Sequence, residues 1–91
     1  MPIPYPEPAM RQKIFSMGLA VETVSLYLLC CALVDAGMPI TLDALAEKWN
    51  ESIGLLDREL KRLVERNIIQ KRAGDDPAAV VYQLVDEKNW Q

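Results

Sequence analysis

Five basic side chains close together are the chemistry this sequence offers: Arg58, Lys61 and Arg62, then Lys71 and Arg72. Ammonium and guanidinium groups at that density suit phosphate oxygens. Residues 52–72, SIGLLDRELKRLVERNIIQKR, also contain Arg66, so six cations face Asp57, Glu59 and Glu65, a local +3 in a chain of net charge −3. The rest of the chain therefore sums to −6. With a pI near 4.8 the whole protein is not drawn to a polyanion, and any nucleic-acid affinity has to come from this local patch.

Other chemistries find little support. The chain has no histidine, and its two cysteines, Cys30 and Cys31, are neighbours in an apolar run. A zinc site of the Cys/His kind is not expected, a disulfide between adjacent residues is strained, and both thiols read as core. No glycine-rich phosphate loop or nucleophile–base pair is present. Asp75-Asp76 and Asp86-Glu87 read as solvated carboxylates, so neither catalysis nor a cofactor is expected. The opening MPIPYPEPAMRQK lacks the pattern of a secretory signal, and the apolar run 24–34 is too short to span a bilayer. These features together read as cytoplasmic, with no membrane partner.

The basic residues need a helix to position them. On a helical wheel centred on Leu60, the residues Ile53, Leu56, Leu63, Val64 and Asn67 fall within roughly 60°. Arg58, Arg62, Leu55 and Glu65 point the other way, and Ser52 suits the N-cap. Asp57–Lys61 and Arg62–Glu65 have the spacing of weak surface pairs. Upstream, Thr41 suits the N-cap of a short helix over 42–49, with Leu42, Leu45, Ala46 and Trp49 on its packed face. Ile40, just before it, suits a one-residue bridge.

Residues 19–36 predict a second long helix, apolar around nearly its whole circumference and therefore expected to be buried all round. A three-helix domain covers one side of it. The short N-terminal helix, a second copy of the chain or another protein must cover the rest, and a homodimer through this helix is the expectation. Gly37-Met38-Pro39 is a stop signal. Prolines at 2, 4, 6 and 8 exclude helix from the first residues. They form either an unstructured lead-in or an arm laying Ile3 and Tyr5 on a neighbouring subunit. A short helix over 9–17, capped by Gly18, follows. Beyond Asn67, residues 68–72 and 80–85 predict an antiparallel hairpin around the turn 73–78. Three regions result: an arm with a short helix, 1–18; a domain, 19–85; and a polar tail, 86–91, with Trp90 its only large apolar residue.

The order helix, bridge, short helix, tight turn, amphipathic helix and hairpin, carried by TLDALAEKWNESIGLLDRELKRLVERNIIQKR and VVYQLV, resembles the winged helix-turn-helix proteins. It resembles in particular small MarR- and ArsR-like bacterial regulators, through Leu45-Ala46-Glu47 and the run 60–69. The resemblance covers about half of the chain, 40–85. It implies an α+β, mainly helical fold: a three-helix core with a two-stranded wing and an N-terminal helical extension. It also implies a transcriptional regulator of double-stranded DNA, without a ligand-binding domain, whose recognition helix enters the major groove. Carried over by position, Gly54, Leu55 and Arg58, with Glu59 as a further candidate, face bases. Ser52, Lys61, Arg62, Lys71 and Arg72 hold phosphates. Arg58 suits a bidentate contact to guanine, and Leu55 a thymine methyl. The alternative is a winged helix used for protein contact, which the apolar Leu55, the acidic turn Asp75-Asp76 and the over-apolar helix favour.

Overall fold

The computed structural model describes residues 9–73 and 80–91. Its order is a 3-10 turn, Gln12–Ser16, then α1 (Val21–Asp35), α2 (Leu42–Lys48), α3 (Ile53–Glu65), β1 (Ile69–Ala73), β2 (Val80–Leu84) and a second 3-10 turn, Glu87–Asn89. This is an α+β, mainly helical arrangement with a winged-helix layout. Residues 1–8, with the expected N-terminal arm, and residues 74–79, which hold Asp75-Asp76 and most of the turn expected over 73–78, lie outside the described residues.

Of the helix expected over 9–17, only Gln12–Ser16 is helical, and as a short 3-10 helix. Arg11, just before it, is extended, and backbone donors here are committed to α1: Ala9 N–H donates to Asp35 (2.9 Å) and Arg11 N–H to the Tyr27 hydroxyl (3.0 Å). Ile14 anchors the turn in the core.

Both long helices end in the same way. After α1, Gly37 is left-handed at φ 73°, with Met38 N–H on the Leu33 carbonyl (2.8 Å) and Gly37 N–H on that of Val34 (2.9 Å). After α3, Asn67 takes that place at φ 57°, and the N–H groups of Ile68 and Asn67 bond to the carbonyls of Leu63 and Val64. The two bonds satisfy carbonyls the helix leaves open, and Gly or Asn tolerates the conformation. At the N-termini, Thr41 accepts from Ala44 N–H (3.1 Å) and Ser52 from Leu55 N–H (3.2 Å), as their spacing predicts.

Against the sequence expectation, α1 is buried along one side only. Thr23, Leu26, Tyr27, Cys30, Cys31 and Leu33 face the core, whereas Val21 is 77% exposed and Leu28 and Val34 are also open to solvent. The elements that pack on it, chiefly α3 and α2, with the N-terminal segment and Trp90 at Asp35 and Tyr27, leave its other side uncovered within one chain. Leu42 departs likewise. It stands exposed at the first turn of α2 and lines a groove beside the hairpin, while Leu45 alone of its face is fully buried.

Ile40 bridges Tyr82, whose N–H donates to the Ile40 carbonyl (2.8 Å), so the α1–α2 connection runs along the free edge of β2. The hairpin is antiparallel, from Ile69 opposite Leu84 to Ala73 opposite Val80. The polar tail is docked through its one large apolar residue. Trp90 is 8% exposed, meets the Tyr27 ring edge-on at 5.4 Å, and donates its indole N–H to the Val85 carbonyl (2.9 Å). Gln91 N–H donates to the Arg66 carbonyl (2.7 Å), and Asn67 donates its amide to the Asn89 carbonyl (2.9 Å). A sequence pattern dominated by charges hid one aromatic anchor. No helix among the described residues is long and apolar enough to cross a membrane.

Candidate nucleic-acid interface

The outward side of α3 carries Arg58, Lys61 and Arg62, all exposed, and the three share a shallow groove with Asp57 and Glu65. Ser52 and Gly54 stand exposed at the start of the helix, and Leu55 is half-buried beside them. Lys71 shares a second groove with Thr41, Asp43, Asp57 and Tyr82, so β1 brings it up against α3. Successive side chains of a strand point to opposite faces. Arg72 therefore stands on the other face of β1 from Lys71 and does not join this surface.

Glu59 is not available to read bases. It is 3% exposed and accepts a hydrogen bond from the Thr23 hydroxyl of α1, itself fully buried. The packed face of α3 is Leu56, Glu59, Leu60 and Leu63, which is rotated by about 40° from the purely apolar stripe. Ile53, at 59% exposure, and Val64 turn outward as a result. The signal was present as two polar residues, Thr23 and Glu59, each set in an otherwise apolar helical face. It is readable only once the two helices are known to touch.

The ion pairs follow from that rotation. Lys61 meets Asp57 at 3.0 Å, as its spacing predicts, with both side chains in solvent. Arg62 does not pair with Glu65; its Nε faces Glu59 Oε2 at 3.9 Å, because the rotation brings that carboxylate under it. Arg58 has no acid partner among the described residues. Arg66 donates from Nε to the Gln91 carbonyl and so belongs to the tail.

The two cysteines are free and buried. Burial, with the neighbouring Cys31 adding to it, pushes the Cys30 thiol up to about 12. Cys31 is raised by burial to about 11. Thiols held protonated are poor nucleophiles and poor metal ligands. The Tyr27 hydroxyl is raised too, by burial first and then by its hydrogen bond with Cys31. No group of three or more His, Cys, Asp or Glu side chains among the described residues is placed to hold a metal ion.

Compared with family models, curated proteins and solved structures, the chain matches none.

Proposed function

We propose that this chain binds double-stranded DNA as a small cytoplasmic transcriptional regulator, with α3 as the recognition helix. The observation that carries the reading is the arrangement of α3. Arg58, Lys61 and Arg62 share its solvent side while Leu56, Glu59, Leu60 and Leu63 fix the opposite side in the core. A helix presented in this way offers cations to a groove without losing its support. Arg58 reads a base edge, and Leu55 makes the apolar contact. Lys61 and Lys71 hold phosphates, and Arg62, beside the Glu59 carboxylate, holds one more weakly, with Ser52 and Gly54 at the helix start close to the backbone. Arg72 touches phosphate only where a duplex bends round the hairpin. Two copies pair through the exposed side of α1 and so present two recognition helices.

Fluorescence anisotropy with a random duplex at about 50 and about 200 mM salt tests the reading. The expected result is micromolar binding at the lower salt that collapses at the higher. No binding at either salt removes it.

One observation favours a second reading, a winged helix that binds protein instead. Ile53 is 59% exposed next to the half-buried Leu55, an apolar edge at the end of α3 that would enter the groove. Failure to bind DNA, together with self-association or partner binding lost in Ile53→Asp, would select it.

A further inference from the structure

We propose that Glu59 is a buried counter-charge that withholds Arg62 from the basic face of α3 while it pins that helix to α1. Its consequence for DNA rests on the reading above, but its cause is geometric. One oxygen, Glu59 Oε2, accepts the Thr23 hydroxyl on one side and faces Arg62 Nε at 3.9 Å on the other. The Glu59 side chain is 4% exposed and that of Arg62 45%. A carboxylate taken out of water needs compensation for its charge. The Thr23 hydroxyl is neutral, so the compensating cation is Arg62.

The neighbouring pair behaves differently. Asp57 and Lys61 are both largely in solvent, where such a pair is weak and a phosphate displaces the carboxylate easily. Glu59 cannot move aside, because its packing and its bond to Thr23 hold it. Two arginines on the same face are therefore unequal: Arg58 meets a polyanion with its full charge, and Arg62 with its charge largely cancelled. A residue of purely structural importance weakens binding when it is changed. Glu59 is expected to do the opposite.

Glu59→Gln is the test, since the amide oxygen still accepts from Thr23 while the charge is gone. Binding to a random duplex is followed by anisotropy across salt, and folding by circular dichroism. The variant is expected to stay folded and bind more tightly. The salt slope should steepen by about 0.9, so that the affinity ratio between about 50 and about 200 mM grows about 3.5-fold. The gain should vanish in Glu59→Gln/Arg62→Gln, and Glu22→Gln, the same charge change on the exposed part of α1, should not reproduce it. Unchanged or weaker binding by a folded Glu59→Gln overturns the proposal. Should that variant not fold, Arg62→Gln and Arg58→Gln decide: a clearly smaller loss of slope for Arg62→Gln supports the counter-charge, and equal losses overturn it. Should no protein bind duplex, the DNA reading fails on its own. Elution from a heparin column then tests the proposal: Glu59→Gln should elute later than Glu22→Gln, and co-elution overturns it.

Discussion

Trp90→Ala is the perturbation that tests whether the last residues belong to the folded domain. Trp90 is 8% exposed, its ring meets Tyr27 at 5.4 Å and 83°, and its N–H bonds to the Val85 carbonyl at 2.9 Å. Truncating a buried Trp costs about 3–5 kcal/mol. A site at the edge of the core relaxes more than its centre does, so the lower end, about 3 kcal/mol, applies. Trp90→Phe keeps an aromatic edge against Tyr27 but leaves the Val85 carbonyl without its donor, a loss of about 1–2 kcal/mol. The 91-residue chain should have about 5–14 kcal/mol in total. The Ala variant then gives up a fifth or more of it. Urea denaturation followed by far-UV circular dichroism reads both values, with the midpoint falling by roughly 1–3 M for Trp90→Ala. A cost below about 0.5 kcal/mol, inside the range of ordinary surface substitutions, would refute the docking of the tail.

Four further outcomes are expected. The thiols of Cys30 and Cys31 rise from an ordinary 9.0 to about 12 and about 11 on folding, so the folded state holds these protons more tightly. Their contribution is complete below about pH 9 and is lost as the pH climbs through the folded values; urea midpoints should fall above that pH, less steeply in Cys30→Ala, and native thiols should resist alkylation at pH 8. Gly37→Ala, at φ 73°, should destabilise by about 1 kcal/mol, whereas Gly54→Ala, inside a helix with nothing within 4 Å of the added carbon, should stabilise by about 0.5–1 kcal/mol; thermal melts distinguish the two signs. Arg58→Ala should cost about 1–3 kcal/mol on a selected site and relax one base position, while Lys61→Ala weakens all duplexes alike; equal losses for Arg58→Ala on selected and random DNA would remove its reading role. Sedimentation at tens of micromolar should show a dimer that Val21→Lys or Leu28→Lys disrupts, and a monomer throughout would end the pairing through α1.

The signals that were legible in the sequence are local ones. Thr41 and Ser52 as N-caps, Gly37 as the left-handed stop and Ile40 as a bridge each depend on the chemistry of one or two residues, and the structure has all four. Orientation was harder to read. A wheel drawn on hydropathy put Ile53 and Val64 inside, and the family resemblance offered Glu59 to the bases. Hydropathy does not register that a carboxylate can be buried when a hydroxyl and a guanidinium from other turns meet it. The apolar α1 held still less directional information, because every face of it qualified as core. Trp90 was masked for a third reason: its partners, Tyr27 and the Val85 carbonyl, come from distant or backbone groups that no periodicity encodes.

The charge count of the interface changes once depth is considered. Six cations against three acids gave the segment +3, each charge weighted alike. In the fold Arg66 is bound to the tail, Arg72 stands on the far face of β1, and Arg62 faces the buried Glu59 carboxylate at 3.9 Å, which on the proposal above offsets its charge. Arg58, Lys61 and Lys71 remain, with Asp57 close to two of them. On a random duplex, where Arg58 has no base to read and meets phosphate as the two lysines do, three contacts give a salt slope of about −2.7, a weak and readily screened attachment, and two copies on one duplex about −5.4. On this surface the DNA reading and the pairing through α1 are therefore linked. A protomer with so few free cations holds a site only when a second copy adds its own, and a two-fold arrangement also places the two Arg58 side chains a fixed distance apart along the groove. A monomer with a slope near −5 would break that link, and so would a dimer with a slope near −2.7.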